Sequence, residues 1–194
     1  MLSSIHPLGE RARHNRWGLT AGAFVIAAVG SGAAVGTTLG YAGGLLTGPL
    51  SRATLLVVTG LAAVAAGILD LTTPVPGPKR QVNENWIGQY RGWVYGGAFG
   101  AQLGTGFATY VVTWLVFATL VAELLTASPW AGALVGGVFG MGRSLALLAA
   151  GQVDRPSRLT SFHRTMARIG PPARVAAAYM AVAVGIVATF GAVA

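Results

Sequence analysis

The chain has 194 residues, 54% of them apolar and only 9% charged, with a formal net charge of +8 and no cysteine. A soluble domain of this length carries about a quarter charged residues, so a water-exposed globule is excluded, as are disulfides, thiolate metal sites and thiol relays. Twelve of the thirteen basic residues are arginines; all thirteen but Arg52 and Arg143 gather in Arg11–Arg16, Lys79–Arg91 and Arg155–Arg174 with no stripe interleaved with aromatics, so no nucleic-acid partner is expected.

Residues 1–16 read as a short cytoplasmic segment, and residues 17–194 as one transmembrane domain. Crossing a bilayer takes about 20 apolar residues, and five stretches qualify: Trp17–Leu46, Thr54–Leu71, Trp93–Leu125, Trp130–Ala150 and Arg174–Val193. The N-terminal basic residues and the apolar run after them are read as a retained first span, because the run is far longer than a secretory h-region. Five crossings with the N-terminus inside put nearly all arginines in cytoplasmic segments, the loops 72–92 and 151–173 among them, and leave Arg52 outside. The expected fold is therefore all-α, a polytopic membrane helix bundle of five transmembrane helices, with six and a re-entrant segment near Gly100–Gly106 as the alternative. The expected location is the bacterial inner membrane.

The first span carries Gly32, Gly36, Gly40 and Gly44 at four-residue spacing. The third carries Gly92, Gly96, Gly100 and Gly104, and the fourth Gly132, Gly136 and Gly140 followed by Ser144. Such spacing puts each set on one helix face, a glycine-zipper pattern that lets neighbouring backbones approach. The first two hairpins also resemble each other: Gly22-Ala23-Phe24 matches Gly97-Ala98-Phe99, Gly30-Ser31-Gly32 matches Gly104-Thr105-Gly106, and Leu45-Leu46-Thr47 matches Leu124-Leu125-Thr126. Both hairpins start inside, so the repeat would be parallel, about an axis normal to the membrane.

Polar groups within the spans are few. Gln102, Thr105 and Tyr110 lie in the third, and Arg143 is the one cation inside the fourth, about 12 Å from its inner end. An arginine at that depth costs at least roughly 2–3 kcal/mol unless it pairs or meets water. Asp70, near the inner end of the second span, is its expected partner. Arg143, Asp70, Gln102, Thr105 and Tyr110 thus form the candidate intramembrane polar site. His6, His14 and His163 are too scattered for a metal site, and no cofactor or catalytic cluster is expected.

The loop before the last span has Leu159, Phe162, Met166 and Ile169 at helical spacing among arginines, a pattern suited to anionic lipids of the inner leaflet. Pro171 and Pro172 are expected to start the last helix.

The stretch PKRQVNENWIGQYRGWVYGGAFGAQLGTGFATYV, Pro78 to Val111, resembles a segment of small bacterial membrane proteins related to the DsbD/CcdA cytochrome c biogenesis and LysE-type exporter families. The absence of cysteine excludes the redox activity of the first family, and five spans depart from its six; the long Gly-interrupted spans, the repeat, and Gln102 and Arg143 within the membrane favour a transporter. The expected function is transporter-like or exporter-like rather than enzymatic. The alternative is a non-catalytic accessory or scaffold subunit, with other membrane subunits or copies of itself as partners.

Overall fold

The computed structural model describes residues 5–75 and 85–192. Pro76, Pro78, Lys79 and Arg80 of the expected loop 72–92, and Val193 of the expected last span, lie outside the described residues. Those described form α1 (Pro7–Ala12), α2 (Trp17–Leu46), α3 (Arg52–Thr72), α4 (Trp86–Gln89), α5 (Gly92–Gly104), α6 (Leu115–Leu125), α7 (Pro129–Ala149) and α8 (Pro156–Gly191), with a 3₁₀ turn at Ala150–Gln152. No strand occurs among them.

Local chemistry explains most boundaries. Ser51 caps α3 by accepting the Thr54 amide at 3.1 Å. Thr73, which precedes a proline, turns extended and ends that helix. Pro129 stands first in α7, where its missing N–H costs no helix bond. Gly106 takes a left-handed φ of 83° just after α5, a conformation that glycine adopts without strain.

Two expectations are corrected. The third span does not run through from Trp93 to Leu125: α5 stops at Gly104 and α6 starts at Leu115, with irregular backbone between. Four helices among the described residues are long and apolar enough to cross a membrane, Trp17–Leu46, Arg52–Thr72, Pro129–Gln152 and Pro156–Gly191, so the expected count of five is not confirmed. Pro171 and Pro172 do not start a helix but lie inside α8. Both have φ already near the helical value, so the helix passes through while the carbonyls of Ala167 and Arg168 lose their amide partners.

The fold resolves into two compact units, Met1–Gly32 with Lys79–Tyr110 and Gly137–Ile169, and Ala33–Pro78 with Val111–Gly136 and Gly170–Ala194. In the first, Ile5, Phe24, Ala28, Tyr95, Phe99 and Leu147 form the core, with Trp17 and Trp86 packed against it. A Cβ at Gly96 would meet Thr20, one at Gly100 the Phe24 carbonyl, and one at Gly104 or Gly140 the Ala28 carbonyl. In the second unit, Gly36 and Gly132 face each other's carbonyls, Gly40 meets Ser128, and Gly43 meets Leu124. Gly60 and Gly185 do the same for α3 and α8. Removing one Cβ per turn is what lets these axes come so close.

Candidate functional site

The break between α5 and α6 is where the polar groups collect. In the second unit, Asp70 near the end of α3 reaches the start of α6. Its Oδ1 accepts the Trp114 amide at 2.7 Å, and its Oδ2 accepts the Thr113 hydroxyl. The carboxylate thereby caps a helix N-terminus, where a negative charge is favoured. Arg174 donates from Nη2 to the Asp70 carbonyl at 2.7 Å, so α3, α6 and α8 meet at this one residue.

In the first unit, Arg143 donates from Nη1 to the Gly106 carbonyl at 3.4 Å, and its guanidinium carbon lies 5.4 Å from the centre of the Phe139 ring. Thr105 donates to the Gln102 carbonyl at 2.8 Å and accepts the Ala108 amide. Tyr110 is exposed, and the Thr109 hydroxyl is buried without a hydrogen-bond partner. Each expected charge therefore has partners within its own unit, Asp70 at the start of α6 and Arg143 at Gly106 and Phe139. The break supplies partners to both charges, a backbone amide to Asp70 and a backbone carbonyl to Arg143.

The expected packing glycines Gly36, Gly40, Gly92, Gly96, Gly100, Gly104, Gly132 and Gly140 each lie where a Cβ would press on a neighbouring segment. Gly32 sits in α2 and Gly136 in α7.

Sequence reasoning missed the most buried charge. Glu10 is 0% exposed, and its carboxylate accepts Arg13 at 2.6 Å, the Thr20 hydroxyl at 2.9 Å and the Tyr95 hydroxyl. Gly92 leaves room for it, since a Cβ there would meet Thr20 Oγ1 and Glu10 Oε2. His6 precedes α1 and caps it, Nδ1 accepting the Gly9 amide at 3.1 Å. Burial, with Arg13 close by, holds the His6 imidazole below its ordinary value of 6.5, which keeps Nδ1 free to accept. The only signal for this cluster was a lone acid among Arg11, Arg13 and Arg16. A second missed group is Glu123 in α6, 1% exposed, whose Oε2 has no hydrogen-bond partner.

Asp70 also gives a direct test of the break. Asp70→Ala is expected to lower stability by about 2 kcal/mol, the upper range for a lost cap with a charge-assisted bond. Asp70→Asn, which keeps an acceptor for the Trp114 amide, is expected to cost about half as much. Thermal melting in mild detergent reads the difference, and equal melting of Asp70→Ala and the unchanged chain would remove the capping role.

No protein-family model matches the chain, and no solved structure matches it. It is 34% identical over 116 residues to the methylamine utilization protein MauF of Paracoccus versutus, a match covering 57% of this chain and 42% of that protein. Over 116 residues it is 32% identical to the protein of the same name from Methylorubrum extorquens, covering 58% of this chain and 41% of that one. The chain spans about two-fifths of the length of these relatives. Proteins named for methylamine utilization stand where the sequence reading placed the DsbD/CcdA and LysE-type families. They correct both that resemblance and the transporter-like or exporter-like function expected from sequence.

Proposed function

We propose that this chain is a non-catalytic accessory protein of the bacterial inner membrane, N-terminus in the cytoplasm, that serves amine utilization by assembling with another membrane component. The observation that carries the reading is the 34% identity to a methylamine utilization protein over more than half of the chain.

The break between α5 and α6 supports the assembly part. Thirteen residues of α5 rise about 20 Å, which ends that helix well inside a hydrocarbon layer about 30 Å thick. From there the backbone is irregular, and the amides of Tyr110, Val111 and Val112 have no acceptor among the described residues. Phe107 and Val112 are each 57% exposed, and Tyr110 is exposed beside them. Lipid tails cannot satisfy bare peptide groups, so irregular backbone at this depth has to be covered by protein or reached by water. A second chain seated on Phe107–Val112 meets that requirement. The buried acids Glu10 and Asp70 are engaged in holding helices.

Two experiments test the reading. Deleting the gene in its native host is expected to abolish growth on methylamine and to leave growth on succinate unchanged. Equal growth of the deletion strain on both would overturn the amine-utilization part. Replacing Tyr110 with a photo-crosslinking amino acid is expected to join this chain to a second polypeptide, and crosslinks to lipid alone would overturn the assembly part.

A further inference from the structure

We propose that the pocket at the start of α2 binds a phosphate-bearing anion at the membrane edge. The pocket encloses about 570 Å³ within the first unit, and Arg11, Asn15, Arg16, Trp17, Gln152 and Arg158 line it. Three guanidinium groups from two distant parts of the sequence therefore converge on one space. Arg11 and Arg16 are exposed and take part in no ion pair among the described residues.

One acid shares the lining, Asp154, and it is already engaged. Its Oδ2 lies 3.1 Å from Arg158 Nη1, and its Oδ1 lies 3.6 Å from Arg155 Nε. Arg158 also donates to the Gln152 carbonyl at 3.3 Å, which fixes its side chain across the pocket. With Asp154 neutralised, the free charge in the space is that of Arg11 and Arg16. Guanidinium forks bind phosphate oxygens in pairs and keep their charge at any physiological pH, which suits a phosphate mono- or diester.

A second observation is independent of the charges. The indole Nε1–H of Trp17, a lining residue, is buried without an acceptor among the described residues. Buried donors are rarely left unpaired. Trp17 opens the first long apolar helix, the position at which tryptophans mark the boundary between headgroups and hydrocarbon. The volume exceeds what a bare phosphate needs, which leaves space for a small polar substituent such as glycerol. The shared chemistry is a glycerophosphate, carried either by an anionic phospholipid or by a soluble metabolite. The inference adds to the accessory reading and stands without it.

The test uses the full chain in mild detergent and reads its melting temperature. The probes are dioleoylphosphatidylglycerol, dioleoylphosphatidylcholine, glycerol 3-phosphate and inorganic phosphate. Phosphatidylglycerol is expected to raise the melting temperature by about 3 °C or more, as for a ligand well above its Kd, and phosphatidylcholine to leave it unchanged. The double variant Arg11→Gln/Arg16→Gln, which alters exposed side chains and so keeps the fold, is expected to bind at least ten times more weakly. Arg52→Gln, outside the pocket, is expected to behave as the unchanged chain. A shift with glycerol 3-phosphate or inorganic phosphate alone supports the site with a soluble ligand, and a shift with phosphatidylglycerol alone supports it with a lipid. Equal shifts with both lipids, no shift with any probe, an undiminished shift in the double variant, or a shift lost equally in Arg52→Gln would overturn the proposal. These outcomes are read on purified protein, so they do not depend on the growth phenotype.

Discussion

Gly100→Val is expected to abolish the folded protein in detergent, while Gly97→Ala is expected to leave its melting temperature unchanged or slightly raised. A Cβ at Gly100 would run into the carbonyl oxygen, carbonyl carbon and Cα of Phe24. These are backbone atoms of a neighbouring helix, so no rotamer change relieves the overlap and the helices have to part. Overpacking in adaptable cores costs about 1–3 kcal/mol. Here the parting also loosens the adjoining contacts of Gly96 with Thr20 and of Gly104 with Ala28, which carries the expected loss above about 4 kcal/mol. At Gly97 the nearest atom is the Ala23 carbonyl oxygen at 4.0 Å, an ordinary contact, and alanine favours the helix by up to about 1 kcal/mol. Size-exclusion profiles after stepwise heating read both variants. If Gly100→Val melted within about 2 °C of the unchanged chain, the close approach of α2 and α5 would be disproved.

Glu10→Ala is expected to be nearly as damaging. The substitution removes the acceptor shared by Arg13, Thr20 and Tyr95, all of which point at a carboxylate that is fully shielded from water. Breaking a buried ion pair from one side costs about 3–5 kcal/mol, because the remaining groups stay desolvated. Tyr95→Phe removes one of these bonds and is expected to cost about 1–2 kcal/mol. Combined, the two changes should cost less than their sum, since both act on one network. A double-mutant cycle by thermal melting checks this, and strict additivity would mean that the Glu10–Tyr95 bond contributes nothing to stability.

The parts of the fold legible in the sequence are those governed by apolar run length alone. Trp17–Leu46 is both the expected first span and α2, and Thr54–Leu71 and Trp130–Ala150 fall within two residues of α3 and α7. The run Trp93–Leu125 is equally apolar, yet it breaks, because hydropathy registers neither the Gly-Thr-Gly sequence at which α5 ends nor the carboxylate of Asp70 that caps the new helix at Thr113 and Trp114. The last span failed differently: prolines at 171 and 172 read as a start signal, but their φ is also compatible with passage through a helix. At the site, Arg143 and Asp70 stood out because each is a charge within an apolar run. Their actual partners, a carbonyl and an amide of broken backbone, leave no trace in composition. Glu10 was hidden for a related reason, since its bond to Tyr95 joins positions 85 residues apart and only the folded chain brings them together.

Among the contacts of α2, those to α5 recur at Thr20, Phe24 and Ala28, each opposite its own glycine. One residue inserted between Thr20 and Ala28 would turn the rest of that helix by about 100° and set side chains where bare carbonyls now lie. Insertions and deletions in kindred genes are therefore expected to fall in the 47–51 turn and to spare this stretch.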